Sequence, residues 1–123
     1  MIVVSLIFFM LAGIAEGIMD TLQFRFYKSV FKSQDQMFWN PDLSWQNKWK
    51  QGDPKFGPKF FGASTFLVFT TDAWHLFKWT RNRMIDLGIY SLVYDIEYSW
   101  LIVIIFAVGR SMLFEYTFRN LSK

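Results

Sequence analysis

Five ionisable residues lie inside or beside strongly apolar stretches of this sequence, where a charge is costly. They are Glu16, Asp20, Asp72, His75 and Glu97. A charged side chain at the centre of a bilayer costs about 2.5 to 3.5 kcal/mol, so such a group faces other protein groups or water. We therefore predict that these residues form a polar cluster inside a small membrane-embedded helix bundle.

The spacing of the five residues determines which of them can share a helix face. Glu16 and Asp20 are four positions apart, and Asp72 and His75 are three apart, so each pair lies on one face of its helix. The acidic residue two positions before Glu97 would point about 200° away from it, so only one of the two can join the cluster. An inward face shared with neighbouring tyrosines favours Glu97.

Three kinds of chemistry fit such a cluster. One imidazole with several carboxylates is a ligand set that suits zinc, manganese or iron, and its ligands would be Glu16, Asp72, His75 and Glu97. The same groups could form a proton or ion path, or they could hydrogen-bond neighbouring helices together. The spacing matches no closed metal signature. We therefore predict no catalytic residue and no cofactor, with a divalent transition metal as the alternative.

Three apolar segments must position the cluster. The chain has 123 residues, of which 53% are hydrophobic and 21% aromatic, and the apolar residues concentrate in three stretches. At 1.5 Å per residue, about 20 helical residues cross the hydrocarbon core of a bilayer. The sequence predicts one all-α membrane domain over 1–123, with transmembrane helices over about 1–20, 64–80 and 88–109. The second segment is short and carries charges, so both a full span and a re-entrant segment fit it.

Between the first two segments, residues 33–62 have a different character. Pro and Gly residues interrupt this stretch, yet aromatic residues recur in it as they do not in flexible linkers. Tryptophans beside lysines are typical of a membrane surface. We expect an aromatic-rich interfacial loop, and we assign four tryptophans to this aromatic belt: Trp39, Trp45, Trp49 and Trp79.

The distribution of basic residues predicts an orientation. The chain has 13 Lys and Arg residues and a net charge of +3, and ten of the 13 fall on the side of the long loop and the C-terminus. The positive-inside rule then puts the long loop and the C-terminus in the cytoplasm and the N-terminus outside. The basic residues follow the ends of apolar runs and form no continuous stripe, so we expect no nucleic-acid partner.

Helix packing suggests the functional class. Gly13 and Gly17 form a small-xxx-small pair, a pattern that lets two membrane helices approach closely. We predict a small non-catalytic integral membrane protein, an accessory or structural subunit of a larger membrane complex. Its partners would be the lipid bilayer and other membrane protein subunits. The alternative is a membrane-embedded metal-dependent enzyme, or an ion- or proton-handling protein, that uses the Glu, Asp and His cluster.

Overall fold

The computed structural model describes residues 2–122, and its regular secondary structure over this range is helical, with no strand. The α-helices are α1 (Ile2–Arg25), α2 (Gln36–Trp39), α3 (Pro41–Ser44), α4 (Ala73–Val93) and α5 (Ser99–Leu121). Six short 3-10 segments lie between α1 and α4: Phe26–Lys28, Val30–Ser33, Trp45–Lys48, Lys50–Gly52, Pro54–Phe56 and Val68–Thr70. The predicted all-helical class is confirmed.

Two helical stretches are long and apolar enough to cross a membrane, Ile2–Lys28 and Ser99–Leu121. The first contains α1 and the second is α5. Helix α4 has 21 residues, but it carries several Lys, Arg and Asp residues and is not among these two stretches. Length and composition therefore give two candidate membrane spans in residues 2–122, fewer than the three predicted.

The predicted second segment over 64–80 is displaced in the structure. Residues 64–72 form turns and one 3-10 segment, and the helix begins only at Ala73. The cause is Asp72, whose Oδ1 accepts a hydrogen bond of 2.8 Å from the backbone N–H of His75. An aspartate that binds the free N–H groups of the first turn is a preferred N-cap, so α4 starts directly after it.

The predicted third segment over 88–109 is displaced in the same direction. Residues 88–93 complete α4, residues 94–98 form a connection, and α5 begins at Ser99. Tyr98 has φ 59° and ψ 27°, a left-handed conformation that a continuing α-helix does not contain. Ser99 is buried, and its Oγ lies 3.4 Å from the carbonyl oxygen of Tyr94, which closes the connection. The helical run therefore breaks where the prediction placed a continuous span.

The described chain divides into two compact units, Met10–Arg83 and a second made of Met1–Phe9 with Met84–Lys123. We call them the loop unit and the α5 unit. The core of the loop unit is Leu22, Phe26 and Ala73, with aromatic side chains of the connection and of α4 packed against it. Buried residues on α1 recur every three or four positions, at Ala12, Ala15, Met19 and Leu22, so one face of α1 is covered.

Within the loop unit, the start of α4 runs antiparallel to the second half of α1. Ala73 packs against Leu22, while Arg81, further along α4, contacts Glu16, which lies earlier in α1. The connection between these helices is folded rather than extended. The backbone N–H of Lys59 donates to the carbonyl of Lys48 at 2.8 Å, and the N–H of Lys50 donates to the carbonyl of Gly57 at 3.0 Å.

One side-chain bridge joins this connection to the start of α4. Asn47 Nδ2 donates to the carbonyl oxygen of Thr71 at 2.7 Å, and Lys59 Nζ donates to Asn47 Oδ1 at 2.9 Å. Thr71, Asp72 and Ala73 are all buried. Two interactions thus fix the first turn of α4: the Asn47 bridge from the connection and the Asp72 cap.

In the α5 unit, a glycine allows helices α1 and α4 to approach closely. Gly88 is buried, and a Cβ atom added to it would lie 2.5 Å from Cε1 of Phe9. Such a distance is far below van der Waals contact, so a larger residue would displace the Phe9 ring. Gly88 is therefore a packing residue of the α1 and α4 pair.

We predict that Asp72→Ala destabilises the protein by about 1 to 2 kcal/mol, because the first turn of α4 loses its cap. Asp72→Asn keeps a side-chain oxygen at the same place, so its loss of stability should be only a small fraction of the loss for Asp72→Ala. The measurement is unfolding of the purified chain by SDS titration in mixed micelles, followed by circular dichroism. Equal losses for the two variants would show that the charge of Asp72 matters and not its capping oxygen.

Candidate functional site

Asp72 and His75 are the one predicted pair that the structure brings together. Oδ2 of Asp72 lies 2.7 Å from Nδ1 of His75, while Oδ1 binds the backbone N–H of the same residue. The side chain of Asp72 is 4% exposed and that of His75 is 32% exposed. A carboxylate can only accept, so in this geometry Nδ1 carries the hydrogen. Both oxygens of Asp72 are thus engaged by the helix that it caps.

Glu16 is paired with an arginine and not with the Asp72 and His75 pair. Its Oε1 lies 3.4 Å from Nη1 of Arg81, and 59% of its side chain is exposed. Asp20, one turn further along α1, is exposed and borders a shallow groove with Thr21, Phe24 and Arg25. Among the bonds described for residues 2–122, neither Glu16 nor Asp20 contacts His75. Neither residue therefore supports the predicted cluster.

Glu97 lies outside the helices, which corrects its predicted position inside a span. It is exposed in the 94–98 connection and belongs to the α5 unit, whereas the other four predicted residues belong to the loop unit. Within residues 2–122, no three His, Cys, Asp or Glu side chains form a group that could hold a metal ion. The proposed ligands Glu16, Asp72, His75 and Glu97 are not such a group.

An ion pair that the sequence analysis missed joins α4 to α5. Nη2 of Arg110 donates to Oδ1 of Asp86 at 3.1 Å, and the two side chains are only 27% and 11% exposed. The guanidinium carbon of Arg110 also lies 5.3 Å from the centroid of the Phe106 ring. Arg110 is about 17 Å along α5 from Ser99, near the middle of this apolar helix. Such a position is costly for an unpaired charge.

The missed pair had a detectable signal. A span over 88–109 makes Arg110 the flanking residue after an apolar run, and it leaves Asp86 in a connection. A span that begins at Ser99 places Arg110 in the interior, where an arginine requires an anionic partner. Asp86 on helix α4 is then a candidate for that anionic partner. The error in one helix boundary therefore concealed both members of the pair.

The two predicted packing glycines face open space within the chain. A Cβ added to Gly13 or Gly17 would meet no atom within 4 Å. At about 100° per residue, both lie nearly opposite to the face of α1 that buries Ala15 and Met19. The close contact within the chain falls on Gly88 instead. The small-xxx-small surface of α1 is therefore unoccupied in residues 2–122.

The four tryptophans assigned to an aromatic belt differ in their surroundings. Trp39 is half-buried and stacks on Phe31, with ring centroids 5.0 Å apart, so it belongs to the packing of the loop unit. Trp45 is 47% exposed and Trp79 is 43% exposed. Trp49 is half-buried, and Lys48 Nζ lies 5.7 Å from its ring centroid. The structure thus packs the half-buried Trp39 against the core of the loop unit.

We predict a strong coupling between Asp86 and Arg110 in a double-mutant cycle. Asp86→Leu or Arg110→Met alone leaves a poorly solvated charge and should cost about 3 kcal/mol, whereas the double variant should recover more than about 1 kcal/mol of this loss. SDS titration of each variant measures these losses.

The control cycle uses Glu115 and Arg119, which pair at 2.7 Å on the same helix but are 54% and 75% exposed. Its coupling should stay near or below about 0.5 kcal/mol. A coupling for Asp86 and Arg110 no larger than the control would contradict a stabilising role.

Comparison with known proteins identifies no relative: no family model matches this chain, and no match was found among the curated proteins or the solved structures.

Proposed function

We propose that this chain is a small non-catalytic integral membrane protein that acts as an accessory or structural subunit of a larger membrane complex. The observation that carries this proposal is the bare surface of α5. None of the most apolar window of this helix is buried, and Ile105, Met112 and Leu113 are each more than 60% exposed. Water disfavours so large an apolar surface, so lipid and protein neighbours are its expected surroundings.

The glycine surface of α1 supports a protein neighbour in addition to lipid. Lipid tails are as apolar as leucine, so membrane helices associate through close backbone approach and polar contacts rather than through the hydrophobic effect. Gly13 and Gly17 offer such an approach, and nothing within 4 Å of their Cβ positions occupies it. A second membrane helix from a partner subunit fits this surface.

We further propose three membrane passes, formed by α1, α4 and α5. Helix α4 has 21 residues, so it is about 32 Å long, enough to cross the hydrocarbon core. Its antiparallel course beside α1 in the loop unit supports a second pass. The charges of Arg81 and Asp86 are offset by Glu16 and Arg110, which lowers the cost of a polar helix in lipid.

The charges of the two connections support one orientation for these passes. The short 94–98 connection holds two acidic residues and no basic one, whereas residues 25–59 hold seven basic and three acidic residues. By the positive-inside rule, the long connection and the end of α5 lie in the cytoplasm, and the short connection lies outside. This orientation is the same as the one predicted from the sequence, although the second and third passes now begin later in the chain.

Single cysteines test the number of passes, because the chain has no cysteine of its own. We expect an impermeant maleimide to label Asp95→Cys in intact cells and Gln34→Cys only after the membrane is opened. Both positions are exposed connection residues, so neither substitution should disturb packing. Labelling of both from the same side would contradict a membrane pass by α4.

Purification in a mild detergent tests the subunit proposal. The tagged chain should recover a larger membrane protein in stoichiometric amount, and Gly17→Leu should reduce this recovery by at least about tenfold by filling the open surface. Leu11→Phe is the matched control, since it enlarges a side chain that is 43% exposed and lies about 120° or more around α1 from both glycines. A monodisperse chain without partner, or equal effects of the two variants, would contradict the proposal.

A further inference from the structure

A groove at the end of α1 has the composition of an anion site. It has a volume of about 710 Å³ and is lined by residues that include Thr21, Phe24, Arg25, Tyr27, Lys28 and Ser29. This size is within the range of about 300 to 1,000 Å³ that is usual for small-molecule sites. Its walls, which also include Phe26, combine two cations, three aromatic rings and three hydroxyl groups.

The shape of the groove follows from the way in which α1 ends. Arg25 leaves the helical conformation with φ −137° and ψ 20°, and one 3-10 turn follows over Phe26–Lys28. Phe26 is only 4% exposed, so it anchors this turn in the core of the loop unit. Ser29 closes the turn, since its Oγ donates to the carbonyl of Phe26 at 2.7 Å and accepts from the N–H of Phe31 at 3.2 Å.

One wall of the groove is fixed by side-chain bonds. The hydroxyl of Tyr27 donates to Oδ2 of Asp42 at 2.6 Å, and Asn40 Nδ2 lies 3.4 Å from the same hydroxyl. The carboxylate of Asp42 is therefore engaged by the tyrosine. The nearest acidic neighbour along α1 is Asp20, which borders the adjoining shallow groove and not this one.

Among residues 2–122, no carboxylate forms an ion pair with a cation of the groove. Arg25 and Lys28 are both exposed, and no ion pair joins either of them to a carboxylate of residues 2–122. Residues 25–59 carry an excess of four positive charges. An external anion is the complementary ligand, and a guanidinium presents two parallel N–H donors to a phosphate.

The depth of the groove indicates which phosphate it meets. With the hydrocarbon core of about 30 Å starting near Ile2, Arg25 lies about 35 Å along α1, in the headgroup layer. The exposed rings of Phe24 and Tyr27, at 72% and 64%, suit the boundary between chains and headgroups. This step depends on the proposed membrane pass of α1.

We propose that this groove binds the headgroup phosphate of an anionic phospholipid in the leaflet where α1 ends. Arg25 contacts the phosphate oxygens and Lys28 adds a second positive charge. Phe24 and Tyr27 contact the upper part of the acyl chains. The site ties the loop unit to the membrane surface through a specific lipid in addition to the diffuse charge of residues 25–59.

The test measures lipid binding to the full-length chain in detergent by native mass spectrometry, with phosphatidylglycerol and phosphatidylcholine as probes. The wild type should retain phosphatidylglycerol in preference to phosphatidylcholine. Arg25→Gln with Lys28→Gln should weaken phosphatidylglycerol binding by about tenfold or more. The matched control, Lys32→Gln with Lys50→Gln, removes the same charge from exposed positions of the connection and should change binding by less than about threefold, since those cations lie outside the groove.

Each other outcome overturns the proposal. An equal loss in both double variants would mean diffuse attraction without a site, and no preference of the wild type for phosphatidylglycerol would mean no anionic selectivity. Inorganic phosphate alone should bind far more weakly than the lipid; equal binding would make the site one for a free anion. Carbonate extraction of the same cells separates these outcomes from failure of the proposed function, because a chain that is released from membranes has no pass by α1.

Discussion

The charged residues of α4 are the constraint on which the arrangement of the long helices depends. A helix with arginines and an aspartate can lie beside apolar helices only where opposite charges meet it. Arg81 meets Glu16 on α1 at 3.4 Å, and Asp86 meets Arg110 on α5 at 3.1 Å. The second pair is better shielded from solvent, so its electrostatic contribution is the larger of the two. Removal of Asp86 takes this carboxylate away from Arg110, which lies near the middle of an apolar helix.

The start of α4 is determined in a different way, by a cap and by a bridge from the connection. Asp72 uses both carboxylate oxygens on His75, and Asn47 binds the carbonyl of Thr71 just before the cap. A pair that the sequence offered for a metal site or a proton path therefore has a role in capping a helix. The carboxylate satisfies a backbone donor that the first turn would otherwise leave unpaired.

The sequence predicted the helical class well, because hydrophobic spacing is a local property. It failed at the boundaries, because a cap and a left-handed residue decide them: Asp72 delays α4, and Tyr98 separates α4 from α5. The site residues inherited these errors. Glu97, which was predicted inside a span, lies in the 94–98 connection. Arg110, which was predicted at the end of a span, lies in the middle of α5. Which partner each charge meets depends on packing between distant segments, and spacing along the chain does not contain this information.

The polarity of α4 has a consequence for the order in which the protein is made. In the three-pass arrangement that we propose, α1 and α5 are long and apolar enough to cross a bilayer, whereas α4 is not among the stretches that meet this requirement. When α4 emerges from the ribosome, Glu16 is already present to meet Arg81, but Arg110 lies 24 positions after Asp86 and is still to come. In that arrangement, α4 gains its ion pair to α5 only after α5 has been made. A chain truncated before α5 would therefore keep the contact of α4 to α1 and lose the one to α5, so loss of the third pass would also weaken the second.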